Sequence, residues 1–315
     1  MHKNNSLFLL TIGLLAALFF SVTFLVNRAI SLDGGHWFWS ATLRYFYTLL
    51  FLALILVLFK GFTYFKSVLV EFFNNYRFWL LSGTIGFGFF YALICFAADY
   101  SPAWVVATTW QITILASLFV LSFFGQKISK VIWLCTFFVV IGITMVNMSH
   151  FEMSNIESLI YGAIPVLIAA FCYPFGNQLV WEAKNGRKNL PEINPEVINN
   201  AFSKVFLLTL GSTPLWIVLF FFVDAQLPSS GQITNVAIIS LFSGVIATSL
   251  FLYARNRANT GTKLVIVDAT QSGEVFFALG GEILFLQAVL PTGLGIVGIF
   301  VTLFGLLALV KFDKI

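Results

Sequence analysis

Apolar residues run along this chain in long unbroken stretches, separated by short polar segments. They fall near Leu7–Ile30, Trp37–Phe59, Phe78–Ala98, Trp104–Phe124 and Val131–Met148, then near Ser158–Trp181, Asn200–Val223, Asn235–Arg255, Leu264–Phe285 and Pro291–Val310. A transmembrane helix needs about 20 predominantly apolar residues, and each stretch approaches or exceeds that length. A β-barrel would alternate apolar and polar positions over segments of about ten residues. These runs do not alternate, so the pattern predicts ten membrane-spanning helices and an all-α polytopic fold. The first run, from Leu7 to Val26, is longer than the roughly 7–15 residues of a signal-peptide core and is followed by no clear cleavage site. It reads as the first span.

Charge then orients the chain. With the N-terminus placed in the cytoplasm, the inner segments hold Lys3; Lys60, Lys66 and Arg77; Lys127 and Lys130; Lys184, Arg187 and Lys188; Arg255, Arg257 and Lys263; and Lys311 and Lys314. The outer loops hold no Lys or Arg but carry Asp33, Asp99, Glu152, Glu157 and Asp224. Cytoplasmic loops are enriched in Lys and Arg, so both termini are expected inside. A span too many or too few would reverse the later loops and scramble the asymmetry.

The chain also repeats itself. The spacing that sets "AFSKVFLLTL" from Ala201 against "ATLRYFYTLL" from Ala41, and hence Lys204 against Arg44, also sets "VDATQ" ending at Gln271 against "ATTWQ" ending at Gln111. Two five-span halves, residues 1–150 and 151–315, must enter the membrane in opposite senses. Inverted repeats of this kind are associated with alternating-access transport and with a site near the midplane. The junction is expected near Ser149–Glu157. The longer polar segment Glu182–Asn199, with Pro191 and Pro195, falls inside the second half.

Composition sharpens the exclusions. Hydrophobic residues make up 59% of the 315 and charged residues 10%, against about 25% charged in soluble domains; mean hydropathy is +0.95. The basic residues are dispersed, so the net charge of +4 does not indicate nucleic acid. Cys95, Cys135 and Cys172 sit in apolar stretches with no disulfide framework or metal-ligand spacing. No metal and no cofactor is implied. The expected partners are the lipid bilayer and a small-molecule substrate.

Polar residues inside the spans then carry the most information. Glu274 lies mid-span in "VDATQSGEVFFALGGE"; an ionised acid there costs about 2.5–3.5 kcal/mol, so it must be neutralised, paired or wetted. It is the first candidate for proton coupling, with a protonated packing residue as the alternative. Asp268 is the second, unless it merely reaches interfacial water or pairs with a nearby Lys or Arg. Gln271 lies three residues from both acids, and Gln111 with Trp110 holds the matching place in the first half. These groups suit a substrate cavity with hydrogen bonds and a cation–π surface, although helix-to-helix bonding would serve the amides as well. Arg44, about 12 Å into its helix at 1.5 Å per residue, is another cavity candidate. It could snorkel, pair with Asp99 or Glu274, or hold an anionic substrate. Lys204 and Arg28, beside Asn27, lie nearer span ends.

In "CYPFGNQ", Pro174 and Gly176 are candidates for a broken helix, with a simple kink as the alternative. Tyr173 and Asn177 are four apart and could face the same cavity. The glycines of "GLGIVGIF" suit close packing, within the fold or between the protomers of a homodimer.

Together the stretches "FFSVTFLVNRAI", "WFWSATLRYF", "CFAADYSPAWVVATTWQITI", "PVLIAAFCYPFGNQ", "SGVIATSLF" and "DATQSGEVFFALGGE" resemble the drug/metabolite transporter superfamily, and within it the putative multidrug resistance efflux transporter family. The resemblance covers nearly the whole chain. It implies two five-helix repeats, no enzymatic activity, export of drug-like cations or metabolites, and a prokaryotic cytoplasmic membrane. The small four-helix relatives place a glutamate in the first helix, whereas "LFLLTIGLLAALFFSVTFLV" holds no acid; Gln126 stands where the superfamily often has Gly-Glu, a pattern that Glu282 keeps. Proton-driven export through Glu274 is thus one expectation, and a facilitator or exchanger of amino acids or other polar metabolites the other. A membrane-embedded enzyme finds little support, because His2, His36 and His150 lie at termini or loops and no nucleophile motif occurs. Nor is there a phosphate-binding loop for direct use of ATP. A non-transporting scaffold leaves the recurrence of polar groups unexplained.

Overall fold

The structure, a computed structural model, describes residues 6–100, 106, 109–148, 159–286 and 293–312. The repeat junction near 149–157 with Glu152 and Glu157, Trp104, Pro291, the terminal Lys3 and Lys314, and His2 and His150 lie outside the described residues. So do the side chains of Arg28 and Glu282. Every regular element among the described residues is helical.

The first half holds α1 (Ser6–Leu32), α2 (Trp37–Lys60), α3 (Phe62–Asn74), α4 (Tyr76–Gly83), α5 (Phe90–Tyr100), α6 (Thr113–Phe123) and α7 (Lys130–Met148). The second holds α8 (Ile164–Lys184), the single turn α9 (Pro195–Asn199), α10 (Ala201–Phe222), α11 (Ser230–Ile239), α12 (Thr248–Arg257), α13 (Gly261–Ala269), α14 (Gly273–Leu286) and α15 (Gly293–Phe312). Wider π-type turns, Thr84–Phe89 and Ser240–Ala247, join α4 to α5 and α11 to α12 as continuous rods. A 3₁₀ turn, Thr270–Ser272, separates α13 from α14.

Six helical rods are long and apolar enough to cross a membrane: Ser6–Asn27, Trp37–Lys60, Tyr76–Tyr100, Ile160–Lys184, Ala201–Phe222 and Ser230–Arg257. Shorter apolar helices cover Thr113–Phe123, Lys130–Met145 and Gly293–Ala308. The expected ninth span falls short as one rod because the turn at Thr270–Ser272 divides it. Large apolar side chains face outward, among them Phe59 and Phe222 at 80% and 82% exposure, as helices surrounded by hydrocarbon require.

The helices pair in a regular way. α1 packs on α14 and on the α11–α12 rod, while α8 packs on α6 and on the α4–α5 rod. α2 lies against α10; α2 also meets the Ser240–Ala247 turn, and α10 meets the Thr84–Phe89 turn. α7 and α15 form a pair of their own. Glycines make two of these contacts possible. A Cβ on Gly86 would stand 2.8 Å from the Gly176 Cα, and one on Gly83 would stand 2.9 Å from the Gly211 Cα; both are closer than a real Cβ approaches.

α3 is a helix where hydropathy alone marks only a loop. Its Phe62 and Phe73 are exposed, whereas Val68, Glu71 and Phe72 are buried. Glu71 accepts bonds from Asn75 Nδ2 at 2.7 Å and from the Asn194 backbone N–H at 3.1 Å. It thereby ties the segment after α2 to the one before α9.

Candidate functional site

A cavity of about 50 Å³ lies between α1, α2, the α4–α5 rod, α8, the α11–α12 rod and α14. Arg44 on α2, Trp110, Tyr173 on α8, Gln271 in the 3₁₀ turn and Glu274 on α14 all line it, so the structure brings five of the expected cavity residues together. The 3₁₀ turn carries Gln271 out of helical register, and Glu274 begins the first turn of the next helix.

Arg44 is buried, yet neutral groups hold it. Its Nη2 donates to Ser243 Oγ at 2.8 Å and its Nη1 to Thr23 Oγ1 at 3.5 Å. The guanidinium carbon stands 4.0 Å from the centre of the Tyr91 ring, a cation–π distance. Asp99 is not its partner: that carboxylate accepts from the Trp37 backbone N–H at 3.4 Å. Glu274 is 3% exposed, and it shares the cavity wall with Trp110 and Arg44.

Aromatic rings build the walls. Phe90 lies 4.9 Å from Trp110 and 4.8 Å from Tyr173, and Tyr45 stacks on Trp216 at 5.2 Å while donating its hydroxyl to the Phe87 carbonyl at 2.9 Å. The Tyr173 hydroxyl and Gln271 Oε1 are buried without a hydrogen-bond partner.

Asp268 and Asn177 belong elsewhere. Asp268 is in a buried ion pair with Arg255, and Arg255 Nη2 also donates to Gln178 Oε1 at 2.8 Å. Gln178 Nε2 continues to Glu182 Oε1 at 3.0 Å, where Gln126 Nε2 joins at 3.2 Å; Glu182 Oε2 meets Arg187 at 3.2 Å. This chain of bonds links α13, α12, α8 and the segment after α6. Asn177 lines a separate cavity of about 10 Å³ with Lys184, Lys204, Arg255 and Asn256. Lys204 is not a snorkelling surface residue; it is 4% exposed and donates to the Leu252 carbonyl at 3.2 Å.

Gln111 is 2% exposed and is not among the central cavity's walls; it sits with Ile112 in a turn just before α6. That turn and Thr270–Ser272 are where the helices are interrupted, and not at Pro174. α8 runs unbroken through Pro174, which removes one N–H donor, toward the Ala170 carbonyl, without ending the helix; one turn on, Asn177 Nδ2 donates to the Tyr173 carbonyl at 3.0 Å. Gly176 serves the contact with Gly86. Beyond the glycines of "GLGIVGIF", a Cβ on Gly305 of the same helix would meet the Cys135 carbonyl at 3.0 Å, a close contact of α15 with α7.

Several contributors were not visible as such in the sequence. Tyr91, Thr23, Tyr45 and Ser243 read as ordinary span residues; Thr23, Tyr45 and Ser243 stood inside the quoted stretches without being singled out themselves, and Tyr91 stood in none of them. Arg255, Gln178 and Glu182 looked like inner-loop or helix-end residues.

Helices of membrane-spanning length closed around a charged, aromatic-walled cavity define a multi-pass membrane protein. Comparison with known proteins gives the family. The model for EmrE, described as "Putative multidrug resistance efflux transporter", matches residues 7–315, and the chain belongs to this family. That is a family of transporters and not of enzymes. Among relatives, the chain is 37% identical over 314 residues to "Uncharacterized protein YjlA" of Bacillus subtilis (strain 168), covering 95% of this chain and 93% of the relative. It is 35% identical over 276 residues to "Uncharacterized 42.1 kDa protein in intracellular alkaline protease 3'region" of Shouchella clausii, covering 84% of this chain and 69% of the relative. A crystal structure of another protein matches with a TM-score of 0.68 at 14% identity, over 95% of both chains, and shares the fold.

Proposed function

We propose that the chain is a secondary transporter that exports small organic molecules across the cytoplasmic membrane by alternating access, driven by protons through Glu274. The observation that carries this reading is the joint presence of Glu274 and Arg44 in one aromatic-walled cavity. A buried acid and a buried cation are expensive in a membrane core, and a purely structural pair would be expected to close into a direct ion pair. Here Arg44 is satisfied by hydroxyls and a ring, which leaves both charges available to a moving ligand and a proton.

In this reading ten spans form two inverted five-helix repeats, residues 1–150 and 151–315, with both termini cytoplasmic. The packing supports it. The contacts of α1 with α14 and the α11–α12 rod correspond, under the repeat, to those of α8 with α6 and the α4–α5 rod. Two of the three π-type turns among the described residues, Thr84–Phe89 and Ser240–Ala247, fall in matching spans, as do the interruptions at Gln111 and Gln271, while the third, Leu159–Ala163, has no counterpart in α1. Small-molecule sites usually measure roughly 300–1,000 Å³, so a cavity of about 50 Å³ must widen to load its cargo. The bonds joining Gln126, Glu182, Gln178, Arg255 and Asp268 then act as a cytoplasmic closure that opens and re-forms.

Uptake of a panel of organic cations, acids and amino acids into inside-out vesicles, with and without an imposed pH gradient, tests the proposal. Gradient-dependent accumulation of at least one compound, absent from vesicles lacking the protein, is expected. Equilibration indifferent to the gradient would contradict proton drive and favour a facilitator.

A further inference from the structure

We infer that the transported molecule carries a carboxylate, received first by Lys204 and Arg255 on the cytoplasmic side and then by Arg44 in the central cavity. This rests on the transporter reading and specifies its substrate.

The central cavity supplies the first argument. A guanidinium presents five N–H donors in a planar fork that matches a carboxylate. Two of the Arg44 donors go to hydroxyls, and the Ser243 and Thr23 bonds are neutral. Among the described residues the ion pairs are Arg187 with Glu182 and Arg255 with Asp268, so Arg44 has no carboxylate within 4.0 Å. The Glu274 carboxyl lies in the same cavity; once it takes up a proton, Arg44 is the remaining charge in the wall, and like charges at close range oppose binding of a simple cation. An anionic group on the ligand is then the favoured match for the guanidinium. The surrounding Phe20, Phe24, Phe87 and Phe90 suit an apolar or aromatic body.

The second argument is independent and comes from the smaller cavity. Lys184, Lys204 and Arg255 all border it. Lys204 and Arg255 are 4% and 3% exposed. The ammonium of Lys204 has three donors and gives one to the Leu252 carbonyl. Arg255 Nε, in the same wall, is buried and unpartnered. Asp268 is engaged by the Nη1 end of Arg255. Three basic side chains therefore border one pocket, with Lys184 Nζ donating to the Asn256 carbonyl at 2.6 Å; the pocket is water-sized in this conformation and widens if the closure at Gln178 and Glu182 parts. Lys204 and Arg44 occupy matching positions in the two sequence halves, so each half contributes one buried basic side chain to a cavity wall.

The test uses three probes that share one aromatic body: 3-phenylpropionate, phenylalanine and phenethylamine. Binding to the purified full-length protein is measured by titration calorimetry, and flux by proteoliposome uptake. The acid, the zwitterion or both should bind, and Arg44→Gln should weaken that binding at least tenfold while Arg44→Lys restores part of it. Size-exclusion profiles of the variants separate loss of binding from loss of fold. Lys204→Gln should slow carboxylate flux from the cytoplasmic face severalfold. Binding by phenethylamine alone, or carboxylate binding unchanged in well-folded Arg44→Gln, would overturn the inference and leave the transporter reading standing. An unchanged flux in Lys204→Gln would overturn the cytoplasmic station. Failure of all three probes to bind would overturn the substrate class, whereas failure of the whole vesicle panel to move would overturn the transporter reading itself.

Discussion

Arg255 and Asp268 form a buried ion pair between α12 and α13, and Gln178 of α8 accepts a second bond from the same guanidinium at 2.8 Å. Removing one member of a buried pair leaves an uncompensated charge and typically costs about 3–5 kcal/mol. Asp268→Ala should therefore lower the thermal unfolding temperature of the purified protein clearly. The double variant Asp268→Ala with Arg255→Met should recover part of the loss, because neither charge is then stranded. Additive losses in this double-mutant cycle would show that the two side chains act separately.

The bonds of Glu182 to Gln126 and Gln178 hold the segment after α6 against α8. If this contact opens and closes during each cycle, a disulfide between Gln126→Cys and Glu182→Cys should stop transport under oxidising conditions. Reduction should restore it. Continued flux with the crosslink fully formed would show that this contact does not gate the path.

Close approach of Gly86 and Gly176 sets the spacing of the third and sixth expected spans. Gly86→Ala would place a methyl against the partner's backbone, 2.8 Å from the Gly176 Cα, which no side-chain rotation can relieve. Overpacking of this kind costs about 1–3 kcal/mol, so reduced thermal stability is expected. Gly280→Ala, whose added Cβ meets nothing within 4 Å, should be close to wild type and serves as the control. Equal behaviour of the two variants would remove the packing explanation.

Trp110, whose indole N–H is a hydrogen-bond donor, lines the same cavity as the Glu274 carboxyl. Trp110→Phe keeps the ring contact with Phe90 but removes the donor. The pH at which transport is half-maximal should shift while the maximal rate stays within severalfold. A rate loss with no change in the pH profile would assign Trp110 to packing alone.

Much of this arrangement was legible in the sequence because a membrane core makes every polar residue conspicuous. Arg44, Trp110, Tyr173, Gln271 and Glu274 stood out against apolar runs, and the structure gathers them around one cavity. Helical periodicity gives the face and depth of a side chain but not what lies across from it. Asp268 therefore looked like a companion of Glu274, although Arg255 captures it from the neighbouring helix. Asn177, one turn beyond Tyr173, faces Lys204 instead of the central cavity. Pro174 signalled a break that the helix absorbs, while the interruption at Thr270–Ser272 carries no proline. α3 escaped notice because its apolar face is too short for a span, and the role of Glu71 depends on Asn194, far along the chain.

The measurement that bears most directly on the account is uphill transport by Glu274→Gln, compared with wild type at several external pH values in the same proteoliposomes. Wild type should accumulate substrate against its gradient when a proton gradient is imposed. Glu274→Gln should fold, retain substrate binding and fail to accumulate, with residual flux that no longer depends on pH. Uphill transport by Glu274→Gln at the wild-type rate and with the wild-type pH profile would contradict the account and return Glu274 to a packing role.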